Sequence, residues 1–298
     1  MTMPSRPATF GLILLASLLL VKASPAAPIP KANNTDALDL DSSWVGGTVP
    51  GSSDLAAFGS GNTAGSTPVT IGNGVSFLGI VLSNNLGANL VVNPGTSGTL
   101  TLGASGIDLS AMTVWRGLTI NSTITLAADQ TWKTGTNSST NPAILNAGGV
   151  VSGAGRLTVD SLPGSKGEFV FLQTANTFSG GFVLAPHGAV RVGTNNATVA
   201  GGAVTASSLG TGPITINGGT IFGHSGLVGS ADTTIQANFA VNRGPAGGAN
   251  SRLRLFGKFD LAGGTRTIAL GRHTNSAAAA LASGTESLKF ETLSGGPA

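Results

Sequence analysis

The chain has 298 residues, of which 41% are hydrophobic, 9% charged and 5% aromatic, with 46 glycines, no cysteine, no tyrosine and a formal net charge of +3. This length supplies a sizeable core, and the hydrophobic content excludes wholesale disorder. The lack of cysteine excludes disulfides and a lipid-modified N-terminal cysteine, while so much glycine with so little charge is far from the composition of an average globular enzyme.

In chain order, residues 1–26 read as a signal peptide. Arg6 precedes an apolar run from Phe10 to Val21, and small residues follow around Ala23 to Ala27, where cleavage is expected. The run is too short for a comfortable membrane span, so the mature chain is expected to be secreted or displayed at the cell surface. Loss of Arg6 and Lys22 with the leader brings the basic and acidic side chains almost into balance. Residues 27–43 read as a lead-in that contains "DALDLD". Asp39 and Asp41, two apart, are expected to share one face of a strand. With Asp36 they raise a weak calcium site, against which stands the absence of a glycine-containing calcium loop. A solvated lead-in is the preferred reading.

From Trp44 to the end, residues 44–298, the texture is uniform. Short alternating runs such as "TLTLG" at 99, "LTINSTITL" at 118, "TWKT" at 131, "AVRVG" at 189, "PITI" at 213 and "RLRLFGKFDL" at 252 are bounded by Gly, Asn, Ser or Pro. Gly-Gly pairs recur in "LNAGGVV", "FSGGFVL", "VAGGAVT", "INGGTIF" and "LAGGTRTIAL", at spacings too irregular for a propeller. The fold class expected is all-β: a right-handed parallel β-helix, or β-solenoid, of short strands with Gly and Asn at the corners. Asn side chains should bond along the stack, and Val183, Val190, Val192, Ile214, Ile216 and Ile221 should point inward. The alanine run at 276 is the one stretch with helical propensity.

The residues that could carry chemistry are scattered. Asp54, Asp108, Asp129, Asp160, Glu168, Asp232, Asp260, Glu286 and Glu291 stand alone, and no two share a phase in adjacent repeats. His187, His224 and His273 lack nearby ligands and read as turn or surface residues. Trp44, Trp115 and Trp132 could form a sugar-stacking strip, although for Trp44 the preferred reading is a cover over the open end of the solenoid. Arg243, Arg252, Arg254, Lys258, Arg266 and Arg272 outnumber Asp260 locally. That excess suits a polyanion strip or, preferably, solvated outward positions that guard strands against aggregation. No catalytic, cofactor-binding or metal residues are assigned, and neither a cofactor nor nucleic acid is expected.

One segment carries a resemblance. "ANTFSGGFVLAPHGAVRVGTNNATVAGGAVTASSLGTGPITINGGTI", residues 175–221, resembles the autotransporter-associated β-strand repeat. The elements are Asn176 to Gly181, Leu209 to Gly212 and Asn217 to Thr220, and Phe182 departs from the small β-former usual after the Gly pair. "SSWVGGTVPGSSDLAAFG", residues 42–59, is similar to the opening of large secreted bacterial repeat proteins of this type. The resemblance implies a passenger-like, non-catalytic scaffold or adhesin at the cell surface, with surface glycans as its expected contacts. The final "LKFETLSGGPA" reads like the middle of another coil, so truncation of a longer protein is expected. The rival reading is a carbohydrate-active β-helix enzyme, a polysaccharide lyase or hydrolase, which requires carboxylates converging on one groove.

Overall fold

The structure is a computed structural model that describes residues 27–61, 68–83, 86–113, 116–135, 144–164, 169–193, 197–201, 203–223, 226–237, 239–243, 252–272 and 287–291. The signal peptide and the alanine run at 276 lie outside the described residues. Short alternating segments cannot bury an apolar face alone, and here they do so by stacking. The chain winds between two parallel sheets as a right-handed β-solenoid, visiting each sheet once or twice per coil. The first sheet runs from Ile29–Pro30 through Leu55–Phe58, Val75–Leu82, Leu100–Asp108, Gln130–Thr134, Leu157–Ser161, Phe182–Leu184, Ile214–Ile216, Gly226–Ile235 and Arg252–Asp260 to Ser287–Glu291. Ile124–Leu126 and Val151–Gly153 extend it sideways. The second sheet stacks Val69–Thr70, Leu90–Asn93, Leu118–Ile120, Ile144–Ala147, Phe169–Leu172, Ala189–Val192, Thr220–Gly223, Phe239–Arg243 and Ile268–Arg272. Among the described residues the only helix is a single 3-10 turn at Asp41–Ser43.

The core is a set of ladders. In the first sheet Ile80, Ile107, Trp132, Val159, Leu184, Ile216 and Ile235 occupy one register position on successive strands. In the second, Leu90, Leu118, Leu145, Val170, Val190 and Ile221 do the same. All of these are buried. Each residue in a ladder covers its neighbours above and below, so apolar area leaves water in every coil at roughly 25 cal/mol per Å2. Val190, Val192, Ile214, Ile216 and Ile221 point inward as expected. Val183 does not. In Phe182–Leu184 the flanking Phe182 and Leu184 are buried, and Val183 lies in the outward column between Thr158 and Thr215. A strand of three residues must bury its two ends or its middle, and the larger pair wins.

Corners follow the expected chemistry. Asn121 Nδ2 donates to Asn93 Oδ1 of the coil before it at 2.8 Å, the expected bonding along the stack. Gly181 has φ of +103°, a region that favours glycine. Gly149 has an ordinary φ, yet a side chain there would run into the Ser122 carbonyl of the preceding coil. One Gly pair is different. Gly201 is in the turn of an antiparallel hairpin, Thr198–Ala200 with Ala203–Ala206, which leaves the solenoid after Ala189–Val192. The excursion rejoins where Asn176 and Ser207 exchange backbone hydrogen bonds of 2.8 and 3.0 Å. The buried Asn176 amide ties this junction: its Oδ1 accepts from Val151 N and its Nδ2 donates to Ser208 O, both at 2.8 Å. "VAGGAVT" therefore shares the texture of a corner without being one.

The N-terminal end is closed by residues 31–49. Ile29–Pro30 already pairs in parallel with Ala56–Ala57, so the sheet begins within the segment read as a lead-in. Trp44 is buried edge-on to Phe58 and Phe77, with its Nε1 donating to Leu38 O at 2.8 Å. It thus shields the first apolar rungs, the role expected of it. Lys31 is nearly buried and donates to Ala32 O, Asn34 O and Asn34 Oδ1. Burial pushes its ammonium below the usual lysine value, and Asp36 opposes that shift.

Candidate functional site

A carbohydrate-active groove would need free carboxylates that converge. Most of those described instead hold their own backbone. Asp54 Oδ2 accepts from Gly51 N at 2.9 Å, Asp108 Oδ1 from Ser110 N at 2.7 Å and Asp260 Oδ1 from Ala262 N at 2.8 Å. Such side-chain turns are what Asp supplies where a strand must end. The acidic lead-in is likewise divided. Asp36 accepts from Ser42 Oγ, Asp39 from the backbone and side-chain amides of Asn73, and Asp41 from Val49 N. Asp39 and Asp41 do not share a strand face, because the chain turns at 38–40 and enters the 3-10 turn at Asp41. Among the described residues no group of three or more His, Asp or Glu is placed to hold a metal ion.

Stacking does place two carboxylates in one column, although in alternate coils and not in adjacent ones. Asp108, Lys133 and Asp160 occupy one outward register position on three successive strands. The two aspartates are two strand spacings apart, about 10 Å. Only one oxygen of each is used by the backbone: Asp108 Oδ1 accepts from Ser110 N at a turn, and Asp160 Oδ1 accepts from Ser161 N within its strand. Beside this column Asp129 Oδ2 and Arg156 Nη2 form an ion pair of 3.0 Å, both side chains more than half exposed, while Arg156 N donates to Asp129 Oδ1 at 2.8 Å. Adjacent coils thus carry opposite charges in two neighbouring columns, Asp129 with Arg156 and Lys133 with Asp160. The sequence hides this because coil lengths vary, so the pairing register cannot be counted along the chain.

The other candidates separate. Trp132 is fully buried, its Nε1 donating to Gln130 Oε1 at 3.0 Å, so it offers no face to a sugar. Trp115, His224, His273, Glu168 and Glu286 lie outside the described residues. His187 is exposed in the turn between Phe182–Leu184 and Ala189–Val192, as expected. The basic residues divide between the sheets. Arg252, Arg254 and Lys258 stand on one strand of the first sheet, with Lys258 in register with Asp232. Arg243 and Arg272 are paired in register on the second. Arg266 is committed to the backbone, its Nε donating to Ile235 O at 3.0 Å.

A second apolar cluster, separate from the main core, lies on the outer face of the second sheet. It joins Ala189 and Phe222 with the partly buried Ile144 and Phe171. Arg191 sits within it, in register between Phe171 and Phe222, and its guanidinium carbon is 4.5 Å from the Phe171 ring centroid. Nothing in the local sequence signals this cluster, since its members come from separate coils. Comparison with known proteins finds no matching protein family, no matching curated protein and no matching solved structure.

Proposed function

We propose that the chain is a non-catalytic, extracellular or cell-surface scaffold of adhesin-like character, reaching that location through the N-terminal signal. The observation that carries this reading is the use made of the carboxylates: those of Asp54, Asp108 and Asp260 accept backbone hydrogen bonds at turns, that of Asp129 accepts one between coils, and that of Asp160 accepts one from the next residue of its own strand. A chain whose acids shape the backbone presents a long polar surface, and repeated weak contacts along such a surface add to useful avidity. The resemblance of residues 175–221 to autotransporter-associated repeats supports the same assignment, with surface glycans as the class of contact.

One observation favours the second reading, a carbohydrate-active enzyme. Asp108 and Asp160 share one outward register position two strand spacings apart, about 10 Å, just beyond the roughly 6.5–9.5 Å that inverting glycosidases use, so a carboxylate pair on one face is present at near the required spacing. Lys133 between them and the Asp129–Arg156 pair beside them also fit a plainer role, since opposite charges on neighbouring strands help to fix their register. Incubation with pectin, alginate, chitin and glucan, followed by reducing-end and unsaturated-product assays, decides between the two. The scaffold reading expects no turnover by the parent. Turnover that the Asp108→Asn or Asp160→Asn variant abolishes establishes the enzyme instead.

A further inference from the structure

An arginine that is 8% exposed normally has a carboxylate or several carbonyls around it, because an unpaired buried charge is costly. Arg191 has none of these. Its Nε is fully buried without a hydrogen-bond partner, and its one recorded interaction is the stack on Phe171. Desolvation alone holds its guanidinium below the usual arginine value, with no anion raising it back. The core does not require it, since Ile221, Val190 and Val192 fill the inward positions of these strands. On the outward column of the same sheet, Asn146 next to Phe171 has a buried amide oxygen that is also unpartnered. Two orphaned polar groups thus flank one aromatic ring on one face.

We propose that this face is a binding site for a carboxylate-bearing sugar, a uronate unit of an acidic polysaccharide. The proposal rests on the scaffold reading and gives its glycan contact a place. A guanidinium placed over the Phe171 ring, on a strand whose other neighbour carries Phe222 in register, offers planar, fork-shaped donors that can receive a carboxylate through paired bonds. Asn146 supplies a neutral amide that can bond a hydroxyl in either orientation. Thr119 and Asn146 extend the column on one side as uncharged hydrogen-bonding types, which suit sugar hydroxyls better than the several charges of an acidic peptide.

The test is calorimetric titration of the full exported chain with polygalacturonate, with its methyl-esterified form and with polyglutamate. Thermal melting is followed alongside for the parent, Arg191→Met and Arg191→Lys. The expected result is binding of polygalacturonate, at least tenfold weaker binding of the ester and of polyglutamate, and at least tenfold loss in both variants. Arg191→Met should melt no lower than the parent in the absence of sugar, because it removes an unpaired charge while keeping apolar bulk. If Arg191→Met melts lower and still binds polygalacturonate like the parent, the arginine is structural and the site is refuted. Equal affinity for ester and acid, or for polyglutamate, refutes it as well. Cleavage of the polymer during titration instead overturns the scaffold reading, whichever way the arginine variants behave.

Discussion

At Ile216 a single side chain reports on the whole ladder. It is fully buried between Leu184 and Ile235, so Ile216→Asp forces an unpaired carboxylate among methyl groups. A loss of about 4 kcal/mol or more is expected in urea unfolding. Val183→Asp, one coil earlier on the opposite face, should cost under about 1 kcal/mol. Comparable losses in the two would show that the strand phases are misassigned. The contrast also marks what was legible in the sequence. "AVRV" and "PITI" announced their inward residues because each offers clear alternation, whereas "FVL" offers one alternation and two answers. Glycines show a similar division. Gly149→Ala places a methyl against the Ser122 carbonyl, while Gly201→Ala, at φ of +58° in open space, meets only backbone strain of roughly 1–2 kcal/mol. Gly149→Ala should therefore lower the melting midpoint more.

Between neighbouring coils, buried amides matter more than visible ion pairs. Asn176→Ala leaves Val151 N and Ser208 O without partners at a buried junction, a loss of about 2–4 kcal/mol on the usual cost of each orphaned group. It should also speed hydrogen exchange at Val151, and an unchanged exchange rate there would remove Asn176 from its tying role. Asp129→Ala breaks the ion pair with Arg156, but both side chains are more than half exposed, so under about 1 kcal/mol is expected. The hairpin at 198–206 and the Asp108, Lys133 and Asp160 column escaped the sequence for one reason. Local texture encodes neither the offset between coils of unequal length that builds the column nor whether a Gly-Gly segment turns a corner or, as at 198–206, pairs back on itself. The same holds for Arg191, whose aromatic neighbours arrive from the coils on either side.

Across the whole molecule each coil touches chiefly the coil before and the coil after, so stability is close to a chain of nearest-neighbour terms. Trp44 closes one end of that chain. Trp44→Ala removes its ring from Phe58 and Phe77 at a cost of about 3–5 kcal/mol, expected to appear first as faster amide exchange in Leu55–Phe58. Uniform exchange across the solenoid in that variant would argue for global cooperativity instead.

The parallel pairing has a mechanical consequence. Hydrogen bonds between coils point along the stacking direction, so tension applied to the two ends of the chain loads one coil-to-coil seam at a time. Stacked positions such as Thr125 and Ser152 are 27 residues apart along the chain. Each seam that opens should thus release roughly 90 Å of slack at the extended length of a peptide. A chain built this way yields one coil at a time, in steps whose length follows the number of residues in each coil, from 19 between Ile214 and Thr233 to 32 between Phe182 and Ile214.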